Sequence, residues 1–180
     1  MPFPTLTEYR TAIQKADNFV QLQHLTPVLN DRGEPLLVAG DFAVVFKMHD
    51  PGAGRHYALK CFYREVPDRP QRYQAIHDHI QTHPSGYFVD YQYLSGELFV
   101  DGEELPVVAM EWIEGQTLGQ RLQQLCTAQD REGLFLLKNR FYELATWLTD
   151  QDMAHGDLKP DNILLDREGR LRLIDYDGMF

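Results

Sequence analysis

The chain has 180 residues, 43% of them hydrophobic, and a formal charge of −10. That is enough apolar material for one substantial domain or two small lobes, and too much for a disordered chain. The acidic excess leaves general nucleic-acid binding without electrostatic support, so no nucleic-acid partner is expected.

Residues 1–30 read as an N-terminal extension. Thr5 and Glu8 have capping-box spacing, which predicts a helix through about Lys15 with Tyr9, Ile13 and Ala16 facing inward. Phe19, Leu22 and Leu25 continue that packing, and nothing catalytic marks the segment. Asp31-Arg32-Gly33-Glu34 is a turn candidate. Strands are predicted at Leu36-Leu37-Val38, at Val44-Val45-Phe46-Lys47 and at Tyr57–Phe62, the last two separated by the turn Asp50–Gly54. A helix over Gln71–Gln81 carries Tyr73, Ile76 and Ile80 on one stripe. His77, His79 and His83 lack supporting ligands at metal spacing and read as helix-surface residues. Further strands are predicted at 88–93, 98–100 and 107–110, the last two flanking the turn Asp101-Gly102-Glu103-Glu104. Leu118–Leu125 reads as a short helix, and a polar break spans Thr127–Asp130. Gly133–Thr149 is the strongest helix, with Leu134, Leu137, Phe141, Leu144, Ala145 and Leu148 on its apolar face. A hairpin then joins Ile163–Leu165 to Leu171–Ile174 through Asp166-Arg167-Glu168-Gly169.

Chemistry concentrates in His155-Gly156-Asp157-Leu158-Lys159-Pro160-Asp161-Asn162 and in Asp175 beyond the hairpin. Phosphoryl transfer needs a carboxylate to orient a hydroxyl, cationic charge near the moving group and oxygen ligands for Mg2+. Asp157, Lys159, Asn162 and Asp175 offer that set. The stretch resembles the catalytic loop and metal-binding strand of eukaryotic-type Ser/Thr protein kinases and their bacterial relatives. The separation of Asp157 from Asp175 matches that of the family's catalytic and metal Asp residues.

The resemblance implies an α+β, protein-kinase-like bilobal fold, with an N-lobe and hinge over 31–113 and a partial C-lobe over 114–180. It implies ATP and Mg2+ as cofactors and a protein as the phosphorylated partner. Asp157 becomes the base or hydroxyl orienter, Lys159 the γ-phosphate contact, and Asn162 and Asp175 the Mg2+ ligands. Gly40-Asp41-Phe42-Ala43 resembles the second half of the kinase Gly-rich loop, with Val38, Gly40 and Ala43 at its three glycine positions and Val45 above adenine. Ala58-Leu59-Lys60 resembles the Val-Ala-Ile-Lys strand, placing Ala58 at adenine and Lys60 on the α- and β-phosphates. Cys61, pointing the other way, reads as packing. Met110–Gly115 resembles the hinge, with Met110 as gatekeeper and the backbones of Glu111 and Ile113 at the adenine edge. Trp112 reads as hinge packing, and Leu164 as the buried floor below adenine.

Several positions depart from the family pattern. Two glycine positions of the loop hold Val38 and Ala43, and Ala tolerates positive φ poorly. Residues 71–81 contain no Glu to pair with Lys60, leaving Asp78 and Glu65 as acidic candidates. Gly156 stands where many kinases carry Arg. Asp175-Tyr176-Asp177-Gly178 replaces Asp-Phe-Gly, with Tyr176 in the aromatic site and Asp177 either tuning Mg2+ or facing solvent. Lys159 favours phosphorylation of Ser or Thr in protein. The departures motivate two other readings, a nucleotide-binding regulator of weak activity and a small-molecule kinase, whose His-Gly-Asp start this chain shares. The family continues into further C-lobe helices, so the sequence reads as a truncated domain, weak or inactive alone and prone to self-association. Cys61 and Cys126 form no disulfide framework. With no secretory leader or membrane span in the sequence, a cytoplasmic location without a membrane partner is expected.

Overall fold

The computed structural model describes residues 3–179; Met1, Pro2 and Phe180 of the expected segments lie outside the described residues. The chain forms two compact units. The first comprises the residues up to Pro70 with Asp90–Trp112, and the second comprises Gln71–Val89 with the residues from Ile113 onward. Contacts thus group residues 71–89 with the second unit, inside the span 31–113 expected for the N-lobe.

Helix α1 (Leu6–Ala12) opens the first unit. Its capping box forms as the sequence predicts, with the Thr5 hydroxyl and the Glu8 carboxylate each accepting from the other's backbone N–H. The helix stops at Ala12 rather than near Lys15, because Lys15 is already extended at φ −113°. Ala12 therefore takes the inward place expected for Ala16, which is exposed. Strands β1 (Thr26–Pro27), β2 (Leu37–Ala39), β3 (Ala43–Asp50), β4 (Arg55–Phe62), β5 (Tyr91–Val100) and β6 (Glu103–Glu111) form one antiparallel sheet, ordered β1-β3-β4-β6-β5, with β2 also on β3. One face packs Val44, Phe46, Leu59, Cys61, Val107 and Ala109 against Tyr9, Ile13, Phe19 and Leu25. Burial pushes the Cys61 thiol pKa up, in keeping with a packing role.

The strands expected at 88–93 and 98–100 are one strand, β5, beginning at Tyr91; Phe88 and Val89 precede it. The register shifts between Leu94 and Leu98. The shift carries Glu97 into the interior, where its carboxylate accepts from the Gln21 N–H at 2.9 Å and the Leu22 N–H at 2.7 Å. A buried carboxylate needs such donors. With the Tyr9 hydroxyl donating to the Phe62 carbonyl at 2.6 Å, they fasten the extension to the sheet.

The second unit contains most of α2 (Arg69–Thr82), β7 (Gly115–Thr117), α3 (Leu118–Thr127), α4 (Arg131–Thr149), β8 (Ile163–Asp166) and β9 (Leu171–Leu173). Strands β7, β8 and β9 form a small antiparallel sheet. On α2 the predicted stripe Tyr73, Ile76 and Ile80 is buried. Helix α4 starts two residues before the expected Gly133, because Asp130 in the polar break is its N-cap and accepts from the Gly133 N–H at 2.8 Å. Of its expected apolar face, Leu137 and Leu144 are buried, Leu134, Ala145 and Leu148 are half-buried, and Phe141 is exposed; Phe135, Leu136 and Tyr142, outside that face, are exposed as well. No helix among the described residues is long and apolar enough to cross a membrane.

Candidate functional site

In the first unit, strand register gathers the nucleotide candidates. Val38 lies opposite Val45, Val45 opposite Lys60, and Ala58 opposite Met110. Side chains two residues apart on a strand share a face, so Val38, Val45, Ala58, Lys60 and Met110 occupy the sheet face opposite the core. Lys60 is buried, with its ammonium 5.7 Å from the Phe62 ring centroid. Glu111 ends β6 opposite Tyr57. Trp112 packs at the end of the sheet: its backbone N–H donates to the His56 carbonyl at 3.0 Å, and the Lys47 ammonium lies 4.9 Å from the centre of its ring.

The turn between β2 and β3 is closed by the Gly40 N–H, which donates to the Ala43 carbonyl at 2.9 Å. The concern that Ala43 must take positive φ does not arise, since it is the first residue of β3 in ordinary strand conformation. Gly40 also has no positive φ, and a Cβ there would meet only the Ala43 carbonyl oxygen at 3.7 Å. The Gly40 position therefore leaves space beside the backbone of this turn.

The second unit holds the catalytic-loop candidates. Asp157 is their centre. Its Oδ2 accepts from Lys159 Nζ at 2.7 Å and from Asn162 Nδ2 at 2.9 Å, and the same Asn162 nitrogen donates to the Asp157 carbonyl at 2.9 Å. With its nitrogen so engaged, the amide oxygen of Asn162 is the atom that could ligate a cation. The Lys159 hydrogen bond holds the Asp157 carboxyl below its ordinary range, and the same bond pushes Lys159 up. Both stay charged at neutral pH.

Asp175 follows β9 with φ 64° and ψ 72°, a left-handed conformation. For a non-glycine residue that conformation costs about 1–2 kcal/mol and persists where the surroundings impose it. Here the Ile174 N–H donates to the Asn162 carbonyl at 3.0 Å, and His155 Nε2 donates to the Ile174 carbonyl at 3.0 Å. Asp175 is thereby held next to the Asn162 backbone. Burial pushes the His155 pKa down, so the ring is neutral and its proton sits on Nε2 facing that carbonyl. An amide oxygen and a carboxylate beside an exposed carboxylate–ammonium pair suit Mg2+ and phosphate.

The substituted positions have physical reasons that the sequence did not display. Gly156 has φ +75°, and a Cβ there would sit 1.8 Å from the Gly178 carbonyl oxygen. A side chain cannot occupy that crossing, so Gly replaces Arg and pairs with the glycine displaced to 178. Tyr176 is fully buried, and its hydroxyl accepts from the Val89 N–H at 2.8 Å and donates to the Leu173 carbonyl at 2.8 Å. The extra oxygen over Phe is thus satisfied. Asp177 does not simply face solvent. Its carboxylate accepts from the Tyr73 hydroxyl, and its carbonyl accepts from Arg72 Nη1 at 2.8 Å. Asp78 lies exposed on α2 and accepts from Gln74 Nε2 at 2.8 Å, an ordinary surface role. Leu164, opposite Thr117, is half-buried rather than buried, because the alternation of β8 turns Ile163 and Leu165 inward instead. Ile113 is half-buried at the start of the second unit's C-terminal segment.

The protein kinase domain family matches residues 34–179. A protein named as a probable serine/threonine-protein kinase of Streptomyces coelicolor is 27% identical over 154 residues, which cover 79% of this chain and 21% of that protein. The serine/threonine-protein kinase PknA of Nostoc is 27% identical over 148 residues, covering 78% and 26%. Sperm motility kinase 2A of Mus musculus is 34% identical over 67 residues, covering 37% and 13%. The chain thus spans only a minor part of the length of each of these relatives.

Proposed function

Because the chain belongs to the protein kinase domain family, with an α+β kinase-like fold, we propose that it carries the site for ATP-dependent phosphorylation of Ser or Thr in a protein substrate. The observation that carries this reading is the cluster in which Lys159 and Asn162 both bond the Asp157 carboxylate while the Asn162 carbonyl accepts from the N–H of Ile174, the residue before Asp175. When bound, ATP supplies the transferable phosphoryl group and Mg2+ neutralises its developing charge. Val38, Gly40, Ala43, Val45, Ala58, Met110, Glu111, Ile113 and Leu164 are the residues for the nucleotide, Lys60 for its α- and β-phosphates, and Asn162 and Asp175 for Mg2+. Asp157, kept ionised by Lys159, orients the substrate hydroxyl and takes its proton. Lys159 carries the positive charge toward the γ-phosphate. The open backbone at Gly40 and the oxygen donors around Asp157 fit these groups. Free Cys61 and Cys126 suit a reducing, cytoplasmic setting.

The test is calorimetric titration with ATP, with and without Mg2+, followed by phosphate tracing. Saturable Mg2+-ATP binding is expected, with label mapped to Ser or Thr. Asp157→Asn should cut transfer at least a hundredfold while ATP still binds. Equal transfer by wild type and D157N rejects the assignment of Asp157. Binding without transfer supports the regulator reading, and a labelled metabolite without labelled protein supports the small-molecule kinase. The 180-residue chain is expected to self-associate through the exposed Phe135, Leu136, Phe141 and Tyr142. Light scattering checks this, and Leu136→Lys should shift the chain toward monomer.

A further inference from the structure

Helix α2 contains no Glu over 71–81, yet two of its consecutive residues grip the turn that carries Asp175. The Tyr73 hydroxyl donates to the Asp177 carboxylate, and Arg72 Nη1 donates to the Asp177 carbonyl at 2.8 Å. Tyr73 is fully buried, so its ring is held by packing and its oxygen has a fixed direction. Asp177 lies in the 3₁₀ turn Tyr176–Gly178 immediately after Asp175, closed by the Met179 N–H donating to the Tyr176 carbonyl at 3.0 Å. Upstream, the left-handed Asp175 is fixed through Ile174 and Asn162. Downstream, its conformation depends on where that turn is pinned. The Tyr176 hydroxyl and the Gly156–Gly178 crossing pin two of its three residues, and α2 pins the third from both side chain and backbone.

We propose that Tyr73 and Arg72 are positioning residues for Asp175, acting through Asp177, so that α2 sets the orientation of the Mg2+ ligand. This rests on the reading of Asp175 as an Mg2+ ligand. Burial of the Tyr73 ring serves packing alone; the hydroxyl, the Arg72 guanidinium and the carboxylate at 177 together make a polar tether that packing does not need. The tether replaces a glycine position with an acidic residue whose role is mechanical. Asp177 reaches toward α2, and its charge is answered there.

The test uses the whole 180-residue chain and isothermal titration with ATP at zero and saturating Mg2+. Tyr73→Phe keeps the ring and removes the tether. It should weaken the Mg2+-dependent part of ATP binding about tenfold, the size expected for a hydrogen bond to a charged group, and leave metal-free ATP binding unchanged. Arg72→Gln should act in the same direction and serves if Y73F does not fold. Asp177→Ala should match Y73F, the double variant should be no worse than either, and Asp177→Asn, which keeps an acceptor for Tyr73, should retain most of the Mg2+ effect. Amide hydrogen exchange at Met179 should accelerate in Y73F. Unchanged Mg2+ dependence in both Y73F and R72Q overturns the proposal and leaves the Asp175 reading standing. Equal losses in D177N and D177A overturn it by making the carboxylate a metal ligand in its own right. Wild-type ATP binding that ignores Mg2+ removes the Asp175 reading and the proposal with it.

Discussion

The turn between β2 and β3 and the turn before Asp157 both carry a glycine of the candidate site, but they constrain it differently. At Gly40 the backbone is ordinary and a Cβ would meet only the Ala43 carbonyl oxygen, 3.7 Å away. At Gly156 φ is +75° and a Cβ would lie 1.8 Å from the Gly178 carbonyl oxygen. The first glycine leaves open space beside the backbone, which the proposed phosphate role requires. The second is consumed by the fold itself, so that two backbone segments can touch. A glycine that departs from or agrees with a family pattern therefore says little until the space around it is known.

The sharpest way to break that comparison is Gly156→Ala. The left-handed conformation costs about 1–2 kcal/mol for Ala, and relieving the overlap with Gly178 costs about 1–3 kcal/mol more. Urea denaturation should show a loss of at least about 2 kcal/mol. A midpoint equal to wild type would mean that the Gly156–Gly178 crossing is not a constraint. Next in size is Tyr176→Phe, in the same turn. The variant restores the aromatic residue common in the family but leaves the Val89 N–H buried without its partner. Stability should fall by about 1–3 kcal/mol in the same assay. An unchanged midpoint would show that Val89 finds another acceptor.

These two sites also mark the limit of what the sequence displayed. Strands β3, β4, β6, β8 and β9, the stripe on α2, and the ordered set Asp157, Lys159, Asn162 and Asp175 were readable, because periodicity and motif order are local properties of a chain. The hydroxyl of Tyr176 and the carboxylate of Asp177 were not. Their partners are Val89 and Tyr73, 87 and 104 residues away, and no local pattern records such a pairing. The internal carboxylate of Glu97 was missed for the same reason, since its donors are the backbone N–H groups of Gln21 and Leu22. Two helix starts had local signals that went unused: Asp130 before α4, and Thr117 with Gln120 before α3, which form a capping box.

Gly40→Ala sharpens the other side of the comparison. With no positive φ and no close neighbour, the substitution should leave folding stability unchanged or raise it by about 0.4–1 kcal/mol by restricting the unfolded chain. If this turn takes the proposed phosphate role, ATP binding should weaken, because the added methyl would occupy the approach to its backbone. Calorimetry and urea denaturation on the same variant separate the two effects. A loss of stability would mean that Gly40 is structural after all, like Gly156. Unchanged ATP affinity would remove the phosphate role of this turn.

The smallest expected effect concerns acid and lies in α2, away from either glycine. Burial, followed by the charge of the stacked His83, pushes the pKa of His79 below its ordinary value of 6.5. Its Nε2 is buried without a hydrogen-bond partner among the described residues, and Asp152 offsets part of the shift. The folded state therefore favours the neutral ring. Above pH 6.5 both states are neutral there and the contribution to stability is fully present. As pH falls below 6.5 the unfolded chain binds a proton first, and the contribution is lost progressively until the folded pKa is passed. His79→Gln removes that proton uptake. Between about pH 7.5 and pH 5.5, wild type should lose more stability in urea than H79Q does. The remaining slope in H79Q belongs in part to His155, whose pKa is also depressed by burial. Equal slopes in the two proteins would show that His79 titrates alike in the folded and unfolded chain, and that its buried nitrogen reaches water.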